Sequence, residues 1–410
     1  MKQNTQTNSK AVRRWPYLLL GMIVMLTAGI IYSWSVLKVP LAEEFQWSAS
    51  QLALNFTLTL CFFCIGGLLA GQITKKIAGR WVILFSCVLL CLGFFLSSKL
   101  SGNIAMLYVS YGGLAGLGIG MIYNVIISAT NAWFPDKKGT CSGVLMMCFG
   151  ISSLIISKIA EKLFASSFGW RNTYLALGAV IAVVIAICGM FVKFPPAGTV
   201  FPAPKPPKGK QSGEAFETRD YTSGEMLKRS SFWRFFIFAT LVAAVGTTVI
   251  GFARDLALTV GAEPTFATTL VGILSLFNGF GRIFFGFMFD FLGRRKTMII
   301  SNIITIIAPL LVLISIKTNI LALCIIGLCL TGIAYGTAAT ISAAFIGAFY
   351  GGKNFRTNYS LANMILIPAS FSATLAGSLL TSTGSFVVPI IMLVGFAVVA
   401  LGLNISIRKP

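Results

Sequence analysis

One charged residue in this sequence stands where charge is costly. Arg282 precedes Asp290 by eight positions, which at about 1.5 Å per residue puts it roughly 12 Å inside the nearest basic turn. That depth is close to the middle of an apolar core about 30 Å thick. A central arginine costs about 2.5 to 3.5 kcal/mol on insertion scales and by default marks a substrate or ion pathway. Its planar fork can give a carboxylate two parallel hydrogen bonds. Helical spacing gathers Ser275, Asn278, Gly279, Arg282 and Gly286 on one small, polar stripe, while Ile283, Phe284 and Phe287 point elsewhere. That stripe is expected to line a cavity. The competing role, an arginine that locks helices by pairing with a carboxylate or backbone carbonyls, has few partners available. None of the 11 Asp and Glu falls mid-span, and Glu43, Glu44, Asp255 and Glu263 lie near the outer ends. A substrate anion is the expected partner.

What the chain lacks removes other chemistries. It has no histidine, so Ser/His/Asp and Cys/His nucleophilic systems and imidazole metal sites are absent. The nine cysteines sit in apolar runs, where Cys acts as a small hydrophobe. Cys61 and Cys64 form a CxxC with no second thiol pair or His to complete a metal shell. No phosphate-cradling GxxxxGK[ST] occurs, which excludes a nucleotide-driven pump in this chain. The expectation is a non-enzyme with neither metal nor cofactor.

Such a stripe needs helices in lipid to carry it. Of 410 residues, 56% are hydrophobic and 10% charged, against about 25% charged in soluble proteins. Twelve apolar runs of spanning length can be counted: 15–39, 49–73, 81–98, 104–134, 140–164, 174–192, 232–257, 266–289, 297–316, 320–349, 358–380 and 386–407. Between the sixth and seventh, residues 193–231 are rich in Pro, Lys, Gly and Glu and read as a cytosolic linker. The chain thus divides into a six-helix unit at 1–192, the linker, and a six-helix unit at 232–410. The first run follows Lys10, Arg13 and Arg14 and lacks a small-residue cleavage site, so it is expected to be retained. With both termini cytoplasmic, most of the 32 Lys and Arg fall on the inside, as the positive-inside rule requires. The basic excess therefore records topology and not nucleic-acid binding. Lys205, Lys208 and Lys210 of the linker face anionic lipid or, by default, water. Gly112, Gly116 and Gly120 in the fourth run permit close helix approach, expected inside a bundle and not between copies.

The midpoint linker invites a search for a repeat. After the second span of each half comes a basic turn, Gly71-Gln-Ile-Thr-Lys75-Lys76 with Arg80, and Gly286-Phe-Met-Phe-Asp290-Phe-Leu-Gly293-Arg294-Arg295-Lys296. The second resembles the signature loop of the major facilitator superfamily; the first departs from it at Lys75 and Ala78. The resemblance covers essentially the whole chain. It implies an all-α membrane protein of two six-helix bundles that rock about a central site, with Gly286, Asp290, Gly293, Arg294 and Arg295 as the conformational loop.

Several stretches resemble the oxalate/formate antiporter branch: Tyr32-Ser-Trp34-Ser-Val, Gly116-Leu-Gly-Ile-Gly-Met-Ile-Tyr123, Trp133-Phe-Pro-Asp-Lys-Lys-Gly, Gly169-Trp-Arg and Asn278-Gly-Phe-Gly-Arg282. The resemblance implies a multi-pass carrier of small carboxylates in a bacterial cytoplasmic membrane, working as a monomer in lipid by substrate exchange. Tyr32, Trp34, Tyr123 and Tyr335 are then candidates to orient the anion beside Arg282, with plain packing as the alternative for each. Asn124, Asn131 and Asn363 serve either the site or helix contacts, and Tyr359 is a further, weaker candidate. Proton-coupled monocarboxylate symporters similar to this chain often carry an acid one turn before the arginine, where Asn278 stands here. Exchange or uniport is therefore preferred over proton symport. Relatives that exchange oxalate look to need a lysine in helix 11, and residues 357–380 contain no basic residue. A monoanion such as formate, lactate or pyruvate thus ranks above oxalate. A drug-efflux antiporter of the same fold is the competing reading, but the fifth span lacks the Gly-Pro signature and a positive cavity would repel cationic drugs.

Overall fold

The computed structural model describes residues 14–196, 199, 201, 219–351 and 354–408, the side chains at 138, 139, 290, 339, 355 and 356 excepted. Among them are twelve helices long and apolar enough to cross a membrane: α1 Trp15–Phe45, α2 Ala49–Ile73, α3 Gly79–Ser98, α4 Ile104–Trp133, α5 Thr140–Phe164, α6 Gly169–Phe191, α7 Ser230–Thr259, α8 Pro264–Phe289, α9 Arg294–Thr318, α10 Leu321–Tyr350, α11 Thr357–Thr383 and α12 Val387–Ser406. Every described element is helical. The helices overrun the apolar runs at several ends because polar turns continue past the hydrocarbon depth. In α1, for example, Val39-Pro40 starts a fresh helical stretch that reaches Phe45, with proline where its missing N–H is not needed.

An even number of crossings returns the chain to one face. Arg14 hydrogen-bonds Asp136 of the α4–α5 turn through both carboxylate oxygens, and Trp133 Nε1 donates to the Lys193 carbonyl at 2.6 Å. The start of α1, the α4–α5 turn and the end of α6 therefore share what is here termed the linker face. On the far face, Arg171 at the start of α6 reaches Glu44 at 2.5 Å and the Leu100 carbonyl at 2.6 Å.

Part of the expected free linker is docked. The Tyr221 N–H donates to the Tyr350 carbonyl at 3.0 Å, and the two rings meet edge-on at 5.5 Å. Thr222 and Glu225 form a capping box for a five-residue helix, Ser223–Leu227, which buries Met226. Composition argued against a core across this stretch, but Tyr221 and Met226 supply enough apolar surface to fold its end onto α10. Lys205, Lys208 and Lys210 lie outside the described residues.

Packing repeats between halves. In the first bundle α1 lies on α5, α2 on α4, and α3 on α4 and α6; in the second α7 lies on α11, α8 on α10, and α9 on α10 and α12. Glycine makes the closest approaches. A Cβ at Gly120 would sit 2.0 Å from the Phe63 carbonyl oxygen, and one at Gly336 2.1 Å from that of Asn278. The glycine run of α4 accordingly faces α2 inside its own bundle. The bundles meet along α2 with α11 and along α5 with α8. Large apolar side chains, Trp81, Phe85, Val180, Ile283, Phe284 and Phe287 among them, stay exposed on the outer surface, as a lipid-facing belt requires.

Three helices depart from α geometry. Residues 29–33 of α1 tighten into a 3₁₀ turn, where Gly29 lies so close to α5 that a Cβ would stand 1.9 Å from the Phe149 carbonyl oxygen. Residues 108–115 of α4 widen into a π-helix. α11 is interrupted at Met364–Ile365, four residues after Ser360, because Pro368 has no N–H for the Met364 carbonyl.

Candidate functional site

At mid-depth the two bundles enclose a ring of aromatic and polar side chains around one guanidinium. Arg282 and Asn278 lie one turn apart on α8 and are 9% and 1% exposed. Their turn is held by α10, since Gly336 packs against the Asn278 carbonyl and the Arg282 N–H, and Thr340 Oγ1 donates to the Arg282 carbonyl at 3.3 Å. The guanidinium Nε donates to Asn278 Oδ1 at 3.4 Å. Tyr123, Tyr32 and Tyr335 bring their hydroxyls into electrostatic contact with it. No carboxylate among the described residues pairs with Arg282; the four ion pairs present all lie elsewhere.

The ring spans both bundles. Tyr32, carried on the 3₁₀ turn of α1, meets Phe149 of α5 edge-on at 5.4 Å and Tyr335 of α10 at 6.3 Å. Tyr123 of α4 packs at 5.1 Å on Phe63 of α2 and at 5.2 Å on Phe149. Tyr335 is seated on Gly246 of α7, where a Cβ would fall 2.4 Å from its ring. Tyr359, on the first segment of α11, interacts with Asn363 and with Arg282. Chemically, the arrangement offers one fixed cation, several hydroxyl donors and two apolar phenyl walls. It holds a small anion well and offers no side-chain base to transfer a proton.

Of the residues picked out from sequence, the structure brings together Arg282, Asn278, Tyr32, Tyr123 and Tyr335. Trp34 goes elsewhere. Its indole N–H donates to the Leu52 carbonyl at 3.1 Å and its ring packs on Tyr111 at 4.9 Å, which makes it a buried strut of the first bundle. Phe63 and Phe149 were missed, because a phenylalanine in an apolar span carries no mark of the side it faces.

In the loop motif, Gly293 takes φ +75° and ends α8, as a residue without Cβ does readily. Arg294 lies over the Phe349 ring at 4.6 Å, tying the start of α9 to the end of α10. Arg295 is exposed, Gly286 lies within contact of Thr340, and the Asp290 side chain is outside the described residues.

Hydrogen bonds that join the bundles gather between mid-depth and the far face. Thr57 donates to the Ser370 carbonyl at 2.7 Å, Ser50 meets Ser378 at 2.9 Å, and Thr268 donates to Glu161 at 2.9 Å. Sequence reading also missed the inter-bundle pair Lys38–Asp255, at 2.5 Å. Toward the linker face, Asn124 and Ser128 of α4 are accessible.

Comparison with known proteins agrees with this architecture. The sequence model of the Major Facilitator Superfamily matches residues 17–253 and 236–409. An uncharacterised MFS-type transporter of Escherichia coli, YhjX, is 26% identical over 349 residues, covering 85% of this chain and 83% of that protein. The oxalate:formate antiporter of Oxalobacter formigenes is 24% identical over 358 residues, covering 86% and 82%. In fold, a bacterial homologue of the lysosomal transporter Spinster, solved inward-facing and occupied, superposes with a TM-score of 0.72 at 16% identity over 97% of each chain. With its duplicated six-helix bundles, its glycine-arginine turn after α8 and a family match over nearly its whole length, this chain belongs to the major facilitator superfamily of membrane transporters.

Proposed function

We propose that this transporter carries small monocarboxylate anions by exchange, with Arg282 as the counter-charge of the bound carboxylate. The observation that carries the reading is the surroundings of Arg282, a buried guanidinium whose neighbours are an amide and phenol hydroxyls and no carboxylate. Such a cation is costly in lipid unless an anion visits it. The same lack of a second central cation favours a monoanion, and the amide at Asn278 favours exchange over proton symport. The linker face, which collects the basic turns, is the cytosolic one in this reading. Likeness to the oxalate:formate antiporter supports the carboxylate class.

Uptake into proteoliposomes tests it, with labelled formate, lactate and oxalate supplied singly and unlabelled anion inside or absent. Uptake should require internal anion in the parent protein. Arg282→Ala should lower it on the order of 100-fold or more, since two charge-assisted hydrogen bonds are lost. Uptake of none of the three, or uptake untouched by the substitution in normally inserted protein, overturns the reading.

A further inference from the structure

The second buried cation between the bundles is Lys38, on α1 beyond Tyr32. Its ammonium donates to Asp255 Oδ2 of α7 at 2.5 Å and to the Gly251 carbonyl at 3.3 Å, and it lies over the Phe252 ring at 4.5 Å. All three partners belong to the opposite bundle. The Lys38 side chain is 8% exposed and that of Asp255 29%. A second strap runs beside it, where Arg254 Nε donates to Thr268 Oγ1 at 3.4 Å and Thr268 donates to Glu161 of α5.

Between this rim and Arg282 lie hydroxyls with nothing to bond. Ser33 of α1, Ser152 of α5 and Ser275 of α8 are fully buried, and their Oγ atoms have no hydrogen-bond partner. Their helices touch there, with Gly29 against Ser152 and Gly150 against the Ser275 carbonyl. Buried orphan hydroxyls are unfavourable in a permanently dry interface. They make sense as the walls of a passage that is wet in another state.

We propose that Lys38 and Asp255 are the far-face gate of the transport path, and that the parted gate presents the Lys38 ammonium as a second binding group for an entering carboxylate. In the closed state Asp255 occupies the place that the substrate's carboxylate takes when the bundles separate at this end. The gate stands whatever the cargo; the anion-binding half rests on the carboxylate reading given above. Lys38 also keeps the path electrostatically continuous, since an anion that leaves it next meets Arg282.

Ser275→Cys places a thiol behind the gate without enlarging the side chain much, and a membrane-impermeant maleimide added at the far face reports access to it. Labelling above that of the unsubstituted chain, with its own nine cysteines, should be slow in the reporter protein. It should rise at least tenfold when Asp255→Asn or Lys38→Met is added, and stay slow with Lys38→Arg. Labelling that remains slow in both charge-removing variants overturns the gate. For the second half, Lys38→Met combined with Asp255→Leu leaves no unpaired charge. That double variant should raise the half-saturating concentration of far-side carboxylate at least fivefold and leave the linker-side value unchanged. Equal values on the far side overturn the anion-binding role, and absence of carboxylate uptake in the parent protein removes that half while the maleimide result still decides the gate.

Discussion

The two bundles repeat their backbone contacts and differ in chemistry. Gly66 lies on the Leu117 carbonyl as Gly281 lies on that of Ile333; Gly116 lies on Thr59 as Gly332 lies on Leu274; and Gly120 lies on Phe63 as Gly336 lies on Asn278. This constant register puts Phe63 in the position of Asn278 and Gly67 in that of Arg282. Close helix packing in lipid needs small residues and is required in both halves. A counter-charge for an anion is needed once. The second bundle supplies it, and the first supplies most of the ring that surrounds it, through Tyr32, Phe63, Tyr123 and Phe149.

The harshest test of the duplication acts on its glycines. Gly120→Leu and Gly336→Leu should each abolish the folded state, because neither carbonyl that a Cβ would strike can withdraw from its helix. Monodisperse protein recovered in detergent should fall by roughly an order of magnitude for both. Tolerance of one and not the other breaks the proposed equivalence of the halves.

Function should divide where packing does not. Asn278→Ala leaves Arg282 Nε without its amide partner and should reduce exchange about tenfold, the worth of a buried hydrogen bond to a charge. Phe63→Ala, at the matching position, should weaken substrate binding by about threefold or less, since it removes wall and not charge. Asn278→Asp sharpens the contrast. Its carboxylate would compete with substrate for Arg282, so exchange at neutral pH should drop at least tenfold and recover as acid protonates the new group. A flat pH profile in that variant would show that position 278 does not face the guanidinium.

These differences also explain what the sequence could and could not disclose. Twelve spans, the linker and Arg282 are legible because charge and proline are rare in apolar runs and so stand out against them. The polar stripe of α8 follows from helical spacing alone. Phe63 and Phe149 could not be told from lipid-facing residues such as Phe284, because a phenylalanine suits either side. Trp34 looked equivalent to Tyr32, but a 3₁₀ turn between residues 29 and 33 rotates the two apart, and no residue type announces that turn. Lys38 and Asp255 sit near span ends, where charge is ordinary; only their convergence from α1 and α7 makes them a pair. The docked end of the linker was hidden by averaging, since Tyr221 and Met226 are a small part of a polar stretch.

The smallest expected effect compares how each bundle pins its linker-face end. Arg14 holds the Asp136 carboxyl below the usual carboxylate range chiefly by hydrogen bonding. Glu225 is held low by the Thr222 backbone N–H and then its hydroxyl. A carboxyl lowered on folding adds stability above its unfolded pKa, which is about 4, and loses that contribution as pH falls through the lower folded value. Asp136→Asn should therefore lower the apparent Tm by about 1 to 2 °C at neutral pH, with the gap closing only below about pH 4. Glu225→Gln keeps an acceptor for the Thr222 N–H on an exposed turn and should shift Tm less at every pH. The asymmetry follows from geometry: Asp136 receives two guanidinium hydrogen bonds beside the buried Phe134 ring, whereas Glu225 caps a helix in water. If the two substitutions gave equal shifts, the Arg14 pair would be acting as an ordinary surface contact, and the first bundle would owe its fixed end to the Trp133–Lys193 bond instead.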